Sequence, residues 1–312
     1  MQKILNYNEF KEVIRKRIQK RFDDDTEIKI NKVLKNNSQE LDSLVILRPG
    51  YSVSPNFYLK FYYENYIKGE NLQSIVDSII RKYNESNNDI GRMNLDMSYS
   101  NCCDRITFRL VSKEKNTGLL ESIPYIPFLD MVIIFYCVVV IDDGGIASVR
   151  VSNYMMDEWE IDIKQLFCLA KINTIKLFPK KLYSLESMIR NMLYRDGDDK
   201  ELDDYFESDK SFIREMTPLV VTNSNGINGA SVILYPDTLK EVSEVLGGDF
   251  YILPSSIHEV LAIRDTGEFQ SKELENMVKE VNESCVLPEE VLSDHVYHYS
   301  EGLDRIEIVN VS

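Results

Sequence analysis

Residues 130–151 read DMVIIFYCVVVIDDGGIASVRV. The apolar run 131–141 is rich in β-branched side chains, and Asp142-Asp143-Gly144-Gly145 separates it from a second β-rich run, 146–151. Aspartate and glycine between two such runs predict a hairpin of antiparallel strands. The first run is too short for the roughly 20 apolar residues of a membrane-spanning helix. It therefore predicts a buried strand.

Strand and helix patterns are intermixed on both sides of this hairpin. Period-two or short apolar runs predict strands at 27–34, 44–47, 105–111, 219–222, 231–235, 250–253, 259–263, 297–299 and 306–308. Helical spacing predicts helices at 8–22, 54–66, 72–83, 116–122, 162–170, 182–193, 237–246 and 271–281. No steady βαβ rhythm emerges, which favours an α+β fold with mixed, mainly antiparallel sheets and amphipathic helices packed on them.

Two polar stretches suggest how the chain divides into two to three subdomains. They are NESNNDIG at 84–91 and DGDDKELDDYFESD at 196–209. We therefore predict three parts: an N-terminal α+β subdomain with a basic first helix, a central α+β domain that contains the buried hairpin 131–151, and an acidic C-terminal α+β domain. Their ranges are 1–90, 91–209 and 210–312.

Charge is distributed unevenly along a chain whose net charge is −15. Residues 1–60 hold twelve Lys/Arg against eight Asp/Glu, whereas residues 196–312 hold eight against twenty-six. An acidic field repels phosphate backbones, so we expect no direct binding of nucleic acid. Solubility is the simpler explanation of the acidic half, and mimicry of nucleic acid toward a DNA-handling protein is the alternative.

The predicted first helix has a basic face opposite its apolar one. Such a face can dock an acidic partner, or it can be a solvated surface or pair with the acidic residues of the chain itself. The candidate partner-binding residues are Lys11, Arg15, Lys16, Lys20 and Arg21.

Aromatic residues follow Ser54-Pro55, which predicts the N-cap and first turn of a helix. We expect four of them to share one face of that helix. The face is either a packed aromatic stripe or a platform on which bases or sugars stack. The four residues are Tyr58, Phe61, Tyr62 and Tyr66.

The five cysteines form no C-x-x-C pair, which is typical of a reduced compartment. Met1–Asn6 lacks a secretory h-region, so we expect a cytoplasmic protein without a membrane span. The vicinal pair Cys102-Cys103 lies beside Arg105 and is either a reactive thiol pair or an ordinary strand edge.

Metal and cofactor motifs are incomplete. In the acidic run, Asp196, Asp198 and Glu207 have calcium-loop spacing, but Lys200 stands at a ligand position and Glu201 where glycine is needed. His295 and His298 have no paired cysteines to complete a zinc site. Phosphate-binding glycine motifs are absent from the sequence. We therefore expect neither a metal nor a cofactor.

His258 is the most suggestive histidine. It follows Ser255 and Ser256 and precedes Glu259, between two apolar strand-like runs. Two hydroxyls, an imidazole and a carboxylate can form an acid–base or nucleophilic cluster. The same residues can also stabilise a turn, because serine side chains bond to nearby backbone groups. Both interpretations stay open on the sequence.

Several stretches resemble a family found in gut clostridia-like anaerobes and catalogued as a domain of unknown function (5688). The likeness runs nearly end to end and is most specific around His258. It implies a bacterial cytosolic protein, carries over no activity, and draws attention to Ser255, Ser256, His258 and Glu259. The stretches are Ser54-Pro55, Pro127-Phe128-Leu129-Asp130, residues 170–174, Leu177-Phe178-Pro179, Leu234-Tyr235-Pro236 and residues 247–260.

From these patterns we expect a non-catalytic, cytoplasmic protein that binds or regulates a protein partner. The first alternative is a hydrolase-like or transferase-like enzyme centred on His258. The second is the acidic nucleic-acid mimic.

Overall fold

The computed structural model describes residues 4–50, 54–87, 96–142, 145–187, 218–254 and 256–309. The chain forms two compact units. The first comprises Met1–Lys35 and Gln39–Ser98, and the second comprises Asn36–Ser38 and Tyr99–Ser312. The second unit thus contains residues of both the predicted central part and the predicted C-terminal part.

The first unit packs helices on a small antiparallel sheet of order β1-β2-β3. Asn6 and Glu9 form a capping box that starts the first helix, and Phe10, Ile14 and Ile18 recur at helical spacing to fill the core. The elements are α1 (Tyr7–Gln19), β1 (Glu27–Leu34), β2 (Glu40–Leu47), β3 (Phe57–Tyr58), α2 (Leu59–Ile67) and α3 (Leu72–Asn87).

The predicted start of α2 at Ser54-Pro55 is wrong. Ser54 Oγ instead accepts a hydrogen bond from Ile46 N of β2, at 3.2 Å. Phe57 and Tyr58 then pair with β2 as a short strand, and the helix begins only at Leu59. The Ser54 hydroxyl, which the sequence assigns to a helix cap, instead accepts a hydrogen bond from the backbone of β2. The helix therefore begins further along the chain than predicted.

The second unit contains two further sheets and most of the helices. Its strands are β4 (Ile106–Ser112), β5 (Tyr125–Phe128), β6 (Met131–Asp142), β7 (Gly145–Arg150), β8 (Lys180–Ser184), β9 (Leu219–Asn223), β10 (Phe250–Leu253), β11 (Val260–Arg264), β12 (Tyr297–Ser300) and β13 (Arg305–Ile308). Its helices are α4 (Tyr99–Cys102), α5 (Thr117–Leu120), α6 (Asn153–Trp159), α7 (Ile163–Leu177), α8 (Thr238–Leu246) and α9 (Ser271–Ser284). Short 3-10 helices lie at Asn36–Ser38, Glu114–Asn116, Gly229–Leu234 and Glu301–Leu303.

Both sheets of this unit are antiparallel, which confirms the predicted α+β class. One has four strands, with β4 and β5 flanking β6 and with β7 also paired to β6. The other has the order β13-β12-β10-β11-β9-β8. Among the described residues, no helix is both long and apolar enough to span a membrane.

The predicted hairpin within residues 131–151 is confirmed as β6–β7. Its register shifts between Val138 and Val140, where a bulge bends β6. Helix α7 contacts one face of the sheet through Phe167, whose ring centroid lies 6.1 Å from that of Phe108 and 6.4 Å from that of Phe135. The buried strand is therefore covered by an aromatic cluster.

Two other predictions fail where tertiary pairing outweighs local pattern. Leu182, predicted in a helix, lies in β8 and pairs with Val221 of the fully buried β9. The predicted strand 231–235 is mostly the 3-10 helix Gly229–Leu234, in which Ser231 Oγ donates to Asn228 O at 2.6 Å. A serine hydroxyl that bonds back three residues favours a turn over a strand.

Candidate functional site

The segment around His258 connects β10 to β11. Leu253 and Leu261 are the last paired residues of the two strands, so residues 254–259 form the connection. The 3-10 helix after β9 lies against it, because Ala230 N donates to Ile257 O at 3.2 Å. A third segment also contributes, since Ile257 N donates to Glu290 O at 2.8 Å.

Three residues from other segments hold His258. Its Nδ1 accepts a hydrogen bond from Asn228 N at 3.1 Å, and its Nε2 lies 3.2 Å from Glu290 Oε1. Its carbonyl oxygen accepts from Thr222 Oγ1 at 2.7 Å. Because a backbone N–H can only donate, the neutral ring carries its proton on Nε2, directed at the Glu290 carboxylate.

The Ser256 hydroxyl is committed to its own turn. It donates to Glu259 Oε1 and accepts from His258 N, both at 2.9 Å. Ser256 is buried. The hydroxyl thus bonds to the backbone of His258 and to the Glu259 side chain, and no hydrogen bond joins it to the imidazole. Ser255, the other serine of the candidate cluster, lies outside the described residues.

Gly229 brings the β9 loop against this turn. An added Cβ there would lie 2.5 Å from His258 O, 2.7 Å from Asn223 N, and nearer still to Thr222 Oγ1. Real Cβ atoms do not approach other atoms this closely, so only glycine fits without a shift. This close approach places the Asn228 N–H on the imidazole.

A nucleophile–base pair requires its hydroxyl and its ring nitrogen within hydrogen-bond reach. In this turn both ring nitrogens already face other groups, Asn228 N and the Glu290 carboxylate. The arrangement instead joins the β10–β11 connection to β9 and its following loop, and to the segment at Glu290, through the contacts of His258. We therefore interpret Ser256, His258 and Glu259 as turn-stabilising residues.

This interpretation predicts a loss of stability when the Ser256 hydroxyl is removed. Ser256→Ala is expected to lower the free energy of unfolding by about 1–3 kcal/mol, because the partly buried His258 N–H and Glu259 carboxylate lose their partner. Urea denaturation followed by circular dichroism measures the change. Ser224→Ala is the control, since the Ser224 hydroxyl bonds only to exposed Asn225 Oδ1. Equal stability of the two variants would contradict the assignment.

The sequence alone missed the partners of this histidine. Asn228, Glu290 and Thr222 are 30, 32 and 36 residues away from His258. Residues 223–229 are rich in glycine and asparagine, which indicates a connection between two elements but not its contact with His258. Pairing of β9 with β11 brings that loop to the histidine.

The basic face of α1 is partly neutralised within the first unit. Lys11 pairs with Asp42 at 2.8 Å, Arg15 with Glu12 at 3.0 Å, and Arg21 with Asp77 at 3.1 Å. Three further cations at the C-terminal end of α1 are exposed and form no ion pair with any described residue. They are Lys16, Arg17 and Lys20.

The aromatic residues of α2 do not form one continuous face. Tyr62 is buried in the core of the first unit, whereas Phe61 is 57% exposed. Tyr66 packs near Phe10, with ring centroids 5.5 Å apart, and its hydroxyl accepts from Leu5 N. Tyr58 lies in β3 instead of the helix. These contacts favour a packed aromatic cluster over a stacking platform.

The cysteines, His295 and His298 lie in other parts of the structure than the His258 turn. None of the five cysteines forms a disulfide bond, and burial raises the pKa of the Cys137 thiol to about 12. Cys102 ends α4, so the vicinal pair precedes β4 and is not a strand edge. His298 Nε2 contacts Asp265 and His295 Nδ1 lies 3.7 Å from Glu275. No group of three or more potential metal ligands occurs in the described part of the chain. The calcium-like spacing at 196–207 lies outside it.

The fold and this turn define an α+β protein in which the His258 segment makes hydrogen bonds to the β9 loop and to the segment at Glu290. A family model matches residues 7–301, and the chain belongs to DUF5688, a family of unknown function. No curated protein and no solved structure matches the chain.

Proposed function

We propose that this protein is a non-catalytic, cytoplasmic binding protein that recognises an acidic protein partner through α1. The observation that carries the proposal is the set of exposed cations Lys16, Arg17 and Lys20, which no described carboxylate neutralises. The other cations of the same helix are already paired internally. Lys16 and Lys20 belong to the basic face that the sequence suggested, whereas Arg17 was not among those candidates.

Helix geometry places the three cations together. Residues four apart lie on the same side of a helix, so Lys16 and Lys20 are neighbours and Arg17 lies about a quarter-turn away. Like charges this close repel each other, and an acidic partner relieves that repulsion. In a chain of net charge −15 such a cluster is also a local attractor for carboxylates.

The His258 turn supports a non-catalytic role. The Ser256 hydroxyl is directed at Glu259 and the His258 imidazole at Asn228 and Glu290, so among the described residues of the turn His258 does not activate Ser256 as a nucleophile. Binding through a charged surface needs no such site.

The test is affinity capture from a lysate of the source cells at low and moderate salt, quantified by mass spectrometry. The triple variant K16E/R17E/K20E is compared with K164E/K171E/K176E, which reverses three exposed cations of α7 and changes the net charge equally. We expect the α1 variant to lose a salt-sensitive partner at least tenfold, while the α7 control retains it. Charged residues at the edge of an interface chiefly change the association rate and its dependence on salt.

Two results would contradict the proposal. One is full retention of every partner by the α1 variant. The other is an equal loss with both triple variants, since that would show an effect of net charge and not of the α1 surface. Circular dichroism of both variants establishes that each is folded.

A further inference from the structure

Three side chains of the four-stranded sheet in the second unit form a cationic cluster. Arg109 of β4 stacks on the ring of Tyr136 of β6, with its Cζ 3.8 Å from the ring centroid. Arg150 of β7 pairs with Tyr136 in register, and its Cζ lies 5.7 Å from the same centroid. Two guanidinium groups therefore contact one tyrosine.

Both arginines of this cluster donate side-chain hydrogen bonds to described residues of the same sheet. Arg150 Nε donates to Tyr136 Oη at 3.2 Å, and Arg109 Nη2 donates to Ser148 Oγ at 2.8 Å. A guanidinium has five N–H donors. Because the tyrosine oxygen accepts from Arg150, its own proton remains available to a further acceptor.

Neither arginine has a counterion in the described segments. No ion pair joins Arg109 or Arg150 to an aspartate or glutamate there, although the chain has 51 acidic residues. Burial lowers the pKa of Arg109, and the positive charge of Arg150 lowers it further. Two like charges partly removed from water without an anion are costly. The contact with Tyr136 counters part of this lowering of the Arg109 pKa.

Arg109 also borders a small cavity. The cavity has a volume of about 10 Å³, and its lining also includes Asn223, Asn228, Ser231 and Tyr235. Such a volume holds about one water-sized group, comparable to one oxygen of an oxyanion. The neighbouring strand β7 is partly exposed along its whole length, including at Arg150.

We propose that Arg109, Arg150 and Tyr136 bind a small oxyanion, the phosphate or carboxylate group of a metabolite. The planar guanidinium groups match the paired oxygens of such an anion, and the tyrosine hydroxyl supplies a further donor. The site lies in the second unit and is independent of the α1 surface proposed above.

Isothermal titration with sodium phosphate and with sodium malonate, at constant ionic strength, tests this site. We expect saturable binding of at least one anion to the wild type. Arg150→Gln is expected to weaken it at least tenfold. Arg109→Lys keeps the positive charge but loses the planar set of guanidinium N–H donors, and we expect it to weaken anion binding severalfold. Arg105→Gln is the control, because Arg105 is an exposed arginine next to the same strand.

The two probes distinguish the source of the anion. Preference for phosphate assigns a phosphorylated ligand, and preference for malonate assigns a carboxylate. The proposal is overturned if neither anion binds saturably to the wild type, or if Arg150→Gln and Arg109→Lys bind as tightly as Arg105→Gln. Thermal unfolding of each variant establishes that a loss of binding is not a loss of folding.

Discussion

Replacing Gly229 with alanine is expected to lower the free energy of unfolding by about 3 kcal/mol, the upper part of the range for overpacked sites. The added methyl group would overlap Thr222 Oγ1 and would meet His258 O at 2.5 Å and Asn223 N at 2.7 Å. Two of these three atoms belong to the backbone, so they cannot move aside by a change of rotamer. Urea denaturation followed by circular dichroism measures the loss.

The matched control for this substitution is Gly118→Ala in α5. No heavy atom lies within 4 Å of a Cβ built on Gly118, and alanine has the higher helix propensity. We therefore expect no loss of stability, or a slight gain. If Gly229→Ala were as stable as this control, the close packing of the β9 loop against the His258 turn would be wrong.

Removing the carboxylate of Asp130 is expected to have the second-largest effect. Asp130 follows Leu129, which has a left-handed backbone with φ of 55°, in the turn between β5 and β6. Its Oδ2 accepts from Ser293 Oγ at 2.6 Å and its Oδ1 from Tyr297 Oη at 2.8 Å. One side chain thus joins the four-stranded sheet to the six-stranded sheet of the same unit.

Asp130→Ala is expected to lower the free energy of unfolding by about 2–3 kcal/mol, because the Tyr297 and Ser293 hydroxyls lose a charged acceptor. Tyr297 is fully buried, and burial followed by the charge of Asp130 raises its pKa well above the usual value. The hydroxyl is therefore a neutral donor that water cannot satisfy. Equilibrium unfolding in urea provides the measurement.

Asp130→Asn separates hydrogen bonding from charge in this network. Its amide oxygen still accepts from Tyr297 and its amide nitrogen can donate to Ser293 Oγ, so we expect about half the loss or less. A loss equal to that of alanine would assign the effect to the charge. No loss in either variant would contradict the role given to Asp130.

Local pattern was sufficient for elements whose sequence carries its own start or stop signal. The apolar run with its Asp-Gly turn specifies β6–β7, and the Asp162/Gln165 capping box starts α7 as predicted. Strand β1 matches its predicted bounds, 27–34. In these elements, propensity, periodicity and turn chemistry favour the same structure.

The candidate site was less accessible to the sequence. The sequence indicated His258 and Ser256 because they lie close along the chain. That proximity accounts only for the hydrogen bonds that the Ser256 hydroxyl makes within its turn. The partners of the imidazole come from the β9 loop and from Glu290. The arginine–tyrosine cluster had no sequence signal, since its members are contributed by three strands.

The sequence by itself determined the α+β class, the buried hairpin, the start of α7 and the acidic balance of the chain, because each follows from local periodicity, a cap or composition. Only the tertiary structure decided that Leu182 lies in a strand, that Gly229 touches the His258 turn, and that Arg109 and Arg150 share one tyrosine. Those facts depend on strand pairing between distant segments, and the energy of such pairs is not encoded in any single stretch of the chain.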